Sequence, residues 1–461
     1  MPPSPSANNQ NTTLLLTALV GSAVFAAAAW VSLKRSKTVS SFFKVNLPSS
    51  KKKTYYLDYN GTTPIYPQVL EAMMPYLQHH FGNPSSGHVY GQEPRRAIDE
   101  ARSKILHHLL GAPTARLDAI WFTGCGTEAD NLAIYLAVQT VKEMDDSHKK
   151  KPHLVTSNVE HPAIELYLKS LEQNNSIDVT FVPVDTEGRV SAEELIAALR
   201  ENTVLVTLML ANNESGALQP VAEVSRVCRQ RGILFHTDAA QAAGKVSCHI
   251  HALGDPDMIS IVGHKIGAPK GIAALYVRPG CLEEQQTVQH KNKPNHGLLI
   301  GGGQEFGMRG GTENTPYIVA LGRAAELAQT HLKRNAAHME EMRARLLKNL
   351  QDSLGASNVL ANGPQDHTKR LPNTLSVGID SIHSGQLLAD VGDTVAASAG
   401  ATCHSTASIS SVLRAMKVPE SYARGTLRLS VGPSTTTTDV DEAADIIANA
   451  VRSQWEVNQR T

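Results

Sequence analysis

A chain of 461 residues with 41% hydrophobic content can bury one large core and a smaller second one, which excludes a stapled mini-domain. Lysine plus arginine and aspartate plus glutamate stand at 43 each, so no net field exists to hold a nucleic acid through counterion release. Five scattered cysteines (Cys125, Cys228, Cys248, Cys281 and Cys403) form neither a disulfide framework nor a C-x-x-C zinc pair, which places the main body in a reducing compartment.

In chain order, residues 1–33 read as a membrane anchor: Met1 to Leu33 carries no charge, and Leu14 to Leu33 is an apolar run of bilayer-spanning length. Lys34, Arg35 and Lys37 follow at once, and the positive-inside rule keeps them and the body on the cytosolic side. Ala26 to Ala29 would suit cleavage as a signal peptide, but the basic residues follow the apolar stretch instead of preceding it. A matrix-targeting peptide would need early arginines, which are absent. The endoplasmic reticulum and the outer mitochondrial membrane are the candidate surfaces, with a cytosolic location as the alternative. Residues 34–53 are a polar linker.

Beyond it, short apolar strands alternate with helical patterns. The strands are Asp118 to Thr123, His153 to Ser157, Val179 to Val184, Val204 to Leu210, Ile233 to Thr237, Met258 to Ile261 and Gly271 to Val277. Ser191 to Arg200 is a helix opened by the capping-box pair Ser191 and Glu194. Such alternation predicts an α/β fold, a mostly parallel seven-stranded sheet covered by helices, with ligands at the strands' carboxyl ends. Glu283 to His296 reads as a surface loop. From about residue 330 the texture changes to a long charged helix ending at Leu354, strands at Asn373 to Val377 and Leu427 to Ser430, and a last helix introduced by Thr438, which places Val440, Ala444, Ile447 and Val451 on one face. This is a smaller α+β domain.

Four strand ends or loops carry polar residues that one cofactor would need. In Thr123-Gly-Cys-Gly126-Thr127-Glu-Ala-Asp a strand runs through a glycine turn into a helix, giving either a phosphate site or an ordinary strand-to-helix turn. In His236-Thr-Asp238-Ala-Ala-Gln241 the carboxylate could bond a protonated pyridine nitrogen and Gln241 a ring hydroxyl; a helix-capping Asp is the alternative. Lys265 in Val262-Gly-His264-Lys265 could bond an aldehyde if its pKa is lowered, although most lysines are solvated surface charges. Cys403 lies in the small-residue loop Ala397 to Ser408, exposed enough for a nucleophile, whereas the other four cysteines suit burial. His161 could lie over a ring face, Asn213 could reach its edge, and Arg428 could clamp a carboxylate.

Together these motifs resemble the class V aminotransferase-like pyridoxal-phosphate enzymes, and among them the NifS-like cysteine desulfurases and selenocysteine lyases. The likeness runs from Tyr55-Tyr-Leu-Asp-Tyr-Asn-Gly-Thr-Thr-Pro64 to about Ala450 and includes Phe81-Gly-Asn-Pro-Ser-Ser86, Gly301-Gly-Gly-Gln-Glu305 and Arg309-Gly-Gly-Thr-Glu-Asn314. The resemblance implies fold type I and a homodimer with sites between subunits. It implies a domain division into residues 54–70 (small domain), 71–315 (large, cofactor-binding) and 316–461 (small, with the cysteine loop). It makes Lys265 the aldehyde-bonding lysine, Asp238 the pyridine-nitrogen partner, Gln241 the ring-hydroxyl donor and His161 the stacking residue. Gly126, Thr127 and His264 hold the phosphate with Thr312 of the other subunit. Asn213 and Arg428 bind the substrate carboxylate, Cys403 is the catalytic thiol, and no metal is implied.

Val262 stands where desulfurases commonly carry serine, and Gly267-Ala268 replaces the usual tyrosine-glycine. Ile-Val-Gly-His-Lys and Cys403-His404 look more like the selenocysteine lyases, so release of selenium from L-selenocysteine with formation of L-alanine is the expectation. Desulfuration of L-cysteine through a Cys403 persulfide is the alternative, and an inactive membrane-tethered scaffold a third. A selenium or sulfur acceptor, protein or reductant, is implied as partner.

Overall fold

The computed structural model describes residues 53–142, 151–284, 297–399 and 409–458. The expected anchor and linker, most of the Glu283 to His296 loop, and Cys403 with most of its loop lie outside the described residues. Thr54–Thr461 is one compact unit.

All seven expected strands of the large sheet form: Ile120–Thr123 (β1), His153–Ser157 (β2), Asp178–Val182 (β3), Thr203–Thr207 (β4), Leu234–Asp238 (β5), Met258–Val262 (β6) and Ala273–Val277 (β7). Their order is β1-β7-β6-β5-β4-β2-β3, all parallel except β7, which runs antiparallel to β1 and β6. The exception follows from chain length. Only residues 263–272 join β6 to β7, too few for the crossover that a parallel neighbour requires.

Adjacent residues in these strands are apolar on both faces, as a doubly covered sheet demands. Leu154, Leu205, Leu234, Met258 and Leu275 pack into one cluster with Leu132 and Leu136 of helix Gly126–Lys142 (α1). Their neighbours Val155, Val206, Phe235, Ile259 and Ala274 enter the opposite cluster, with Val221, Val224 and Cys228 of helix Val221–Gln230 (α3). Between these helices in sequence lies Pro162–Gln173 (α2). Ile318, Leu321 and Ala325 of helix Thr315–Thr330 (α4) join the second cluster too.

A four-stranded antiparallel sheet follows, with order Ser398–Ala399 (β10), Thr426–Ser430 (β11), Thr374–Ile379 (β9) and Val359–Asn362 (β8). Helices Leu332–Leu354 (α5) and Thr437–Asn458 (α6) close its core through Met342, Leu346, Leu350, Val440, Ala444, Ile447 and Val451. Two helix starts differ from expectation. At Ser191 the hydroxyl accepts the Glu194 N–H at 3.2 Å, but it donates to the Glu193 carboxylate at 2.6 Å, so Glu194 makes only half of the box. The last helix is capped by Thr436, not Thr438: Thr436 Oγ1 accepts the Asp439 N–H at 3.1 Å and Asp439 Oδ2 accepts the Thr436 N–H at 3.0 Å. No helix among the described residues is long and apolar enough to cross a membrane.

Candidate active site

At the carboxyl ends of β1, β2, β4, β5 and β6 lies a cavity of about 300 Å³. Its lining includes Gly126, Thr127, His161, Asn213, Asp238, Gln241, His264, Lys265 and Arg428, nine of the eleven positions expected from sequence. Thr312 is exposed and does not line it, which leaves the expectation of a role across a subunit boundary untouched. Cys403 lies outside the described residues.

The thiol prediction needs one correction. Cys228, Cys248 and Cys281 are buried, and burial pushes the first two thiols up to about 12, inert as nucleophiles. Cys125, in the turn between β1 and α1, is instead exposed and lines the cavity.

Lys265 follows β6 in a single 3₁₀ turn. Its Nζ donates to the carbonyls of Asn60 and, at 2.8 Å, of Gly61. Burial first, and the Arg428 charge second, lower its pKa to about 8, against the pull of Asp58 and Asp238. The amine is therefore poised to act as a nucleophile. Asp238, at the end of β5, accepts the Ala240 N–H at 2.8 Å, while burial raises its pKa. An N–H cation seated against it would offset that cost. His161 is the N-cap of α2 and accepts the Ala163 N–H on Nδ1 at 3.2 Å, which leaves the proton of the neutral ring on Nε2. Burial and Lys265 lower its pKa, while Asp238 opposes them.

The start of α1 lines the cavity with Gly126 and Thr127, and a helix N-terminus favours an anion. Glu128, in the same first turn, is tied to Gly124 N at 2.7 Å and to Arg309 Nε at 2.9 Å, so its charge is compensated. His264 is held by Thr62 Oγ1 at 3.1 Å from Nδ1.

Arg428 enters from β11. Its Nη2 donates to Asp58 Oδ1 at 2.8 Å and to Ser398 Oγ at 3.0 Å. Its Nε is buried with no hydrogen-bond partner in the structure, a donor that an incoming carboxylate would satisfy.

Sequence reasoning missed several residues. Asp58, Asn60 and Gly61 show no role in their local sequence, since only the folded chain brings them to Lys265 and Arg428. Asp130 and Glu160 are buried carboxyls; burial raises Asp130 well above the usual range, with Asp238 adding to it, and takes Glu160 up to about 8. Asp130 Oδ1 has no hydrogen-bond partner. Nothing in their local pattern distinguishes them from ordinary helix-start acids.

Residues 55–443 match the family described as Aminotransferase class-V. A cysteine desulfurase of Nostoc sp. (strain PCC 7120) is 40% identical over 398 residues, covering 86% of this chain and 92% of that protein. A solved NifS-like protein superposes with a TM-score of 0.75 at 33% identity, covering 87% of this chain and all of the other. A structure described as SspA in complex with cysteine gives 0.66 at 32% identity, covering 83% and 100%.

Proposed function

This chain belongs to the class-V aminotransferase family, and from that premise we propose that it is a cysteine desulfurase, moving sulfur from L-cysteine to Cys403 and releasing L-alanine. The family is pyridoxal-phosphate dependent with the fold type I architecture, and the residues present fit that cofactor. A lysine with a lowered pKa, a buried carboxyl and an anion-binding helix start share one cavity. Lys265, Asp238, Gln241, His264, Gly126 and Thr127 would hold it. When bound, it supplies an aldehyde that condenses with amines and a ring that accepts the electron pair left at the substrate's α-carbon.

The chain's own residues do the rest. Arg428, steadied by Asp58, and Asn213 orient the substrate carboxylate. Lys265 takes the α-proton, and His161, which lines the same cavity, holds a proton at Nε2. The Cys403 thiolate attacks the substrate sulfur: a Sγ–S bond forms, the Cβ–S bond breaks, and the carbon is reprotonated to alanine. Cysteine and the thiol thus become alanine and a persulfide with no outside oxidant.

The single observation that carries this reading is the convergence of Lys265, Asp238 and Arg428 on one cavity in a chain so similar to a desulfurase. The same similarity reverses the order of the two substrates expected from sequence, putting sulfur ahead of selenium. Alanine release is measured with L-cysteine and L-selenocysteine side by side. Turnover of cysteine that falls at least ~100-fold in Cys403→Ala is expected; activity on selenocysteine alone, or persistence without the thiol, overturns it. We also propose a homodimer that brings Thr312 to the neighbouring site. The apolar run Leu14 to Leu33 precedes the family match, and we propose that it tethers the enzyme to a membrane facing the cytosol. Carbonate extraction that leaves the full chain in the pellet is the expected result.

A further inference from the structure

Lys245 follows the turn after β5 and is only 6% exposed. A buried ammonium without an opposite charge tends to lose its proton. The ion pairs among the described residues include none to Lys245; its Nζ donates to Gln241 O at 3.0 Å and to Gln241 Oε1 at 3.1 Å. Burial, with Lys265 and Arg428 nearby, lowers its pKa to about 7.

The two ends of the Gln241 amide therefore have different partners. Oε1 faces Lys245, and Nε2 donates to Asn60 O at 3.0 Å, the carbonyl that also accepts from Lys265. The ends of an amide are nearly isosteric, so a donor on the carbonyl side is what selects one orientation over the other. Lys245 does not line the cofactor cavity. It lines a second cavity of about 320 Å³, bounded by Tyr66, Leu327 and Gly432, that shares only Lys265 with the first. Its hydrogen bonds reach the cofactor cavity through Gln241, while its charge also acts on Lys265.

We propose that Lys245 is a positioning residue that holds the Gln241 carbonyl, so that the amide N–H group points into the site toward the ring oxygen of the cofactor. This rests on the family's cofactor and is independent of whether the substrate carries sulfur or selenium.

The test uses the full-length protein stripped of cofactor and titrated with pyridoxal 5'-phosphate. Affinity, the visible absorption maximum of the loaded protein and the melting temperature of the unloaded protein are read for Lys245→Met, Lys245→Gln, Gln241→Leu and the Lys245→Met/Gln241→Leu double variant. Lys245→Met weakens binding about tenfold and moves the absorption maximum. Lys245→Gln, which still carries an N–H donor, restores part of both. In the Gln241→Leu background Lys245→Met adds nothing further. An unchanged spectrum and affinity in Lys245→Met would overturn the proposal. So would an effect of equal size with Gln241 absent, which would mark Lys245 as structural, or a Gln241→Leu variant that binds and absorbs like the parent.

Discussion

Lys265 lies between two carbonyls, of Asn60 and Gly61, that accept its protons without neutralising its charge. Its amine is half neutral near pH 8, where an ordinary lysine is almost fully charged. Cofactor capture by the stripped protein, followed by absorbance, is expected to accelerate as pH rises through about 8 and to level off above it. The folded pKa is below the unfolded one, so the unfolded chain binds more protons between the two, and this group favours folding more as pH climbs across that window. Arg428 carries the second prediction. With Nη2 committed to Asp58 and Nε unpartnered, a lysine in its place keeps a charge but loses the fork. Arg428→Lys should raise KM for the amino acid roughly 10- to 100-fold, about 1.5–3 kcal/mol for hydrogen bonds to a charged group, with a smaller effect on kcat. Equal KM values would remove Arg428 from the carboxylate site.

Among elements, the β1–α1 turn is seated against the end of β6. A Cβ on Gly126 would lie 2.6 Å from Val262 Cγ2, so Gly126→Ala displaces the start of α1 and weakens cofactor binding about tenfold. Val262→Ala in the same protein removes the clashing methyl and should recover most of that loss; titration of both variants checks it. The position where the family commonly carries serine is thus a packing position here. In β2, His153 accepts or donates across two neighbouring strands, to Thr203 at 2.8 Å in β4 and Thr180 at 2.8 Å in β3. Burial lowers its pKa to about 4. Below pH 6.5 the unfolded chain therefore takes a proton that the folded one refuses, and stability is lost as pH falls from there toward 4. Urea midpoints between pH 7 and 5 should fall less in His153→Gln than in the parent. Equal slopes would mean that His153 does not titrate on unfolding.

At the scale of the molecule, Asn60 links the two sheets' surroundings. Its side chain donates to Thr374 Oγ1 at 2.8 Å and accepts from Asn373 Nδ2 at 2.9 Å beside β9, while its carbonyl receives Lys265 and Gln241 from the loops of the large sheet. Asn60→Ala keeps the carbonyl but removes the side-chain bonds to Thr374 Oγ1 and Asn373 Nδ2 that hold it in place, at a cost of about 1–3 kcal/mol. It should lower both the melting temperature and cofactor affinity; a loss of stability with unchanged affinity would separate the seam from the site.

The inner strands of the large sheet, such as His153–Ser157 and Met258–Val262, were legible because they are buried on both faces and read as short apolar runs between polar turns, whereas the edge strand β3 is only half-buried. That Lys265, Asp238 and Thr127 meet at one cavity was legible for a related reason: polar residues at the end of a strand sit in a local pattern that one segment can display. Helix caps were read to within two residues, since neighbouring hydroxyls at Thr436 and Thr438 offer the same local bond and packing chooses between them. The Asp58–Arg428 pair, the Asn60 carbonyl under Lys265 and the Lys245–Gln241 bond joined residues by contacts that no segment pattern shows. Hydrogen bonds and charges act over a few ångströms of space whatever the separation along the chain, 370 residues for Asp58 and Arg428, and only the folded topology makes that space small.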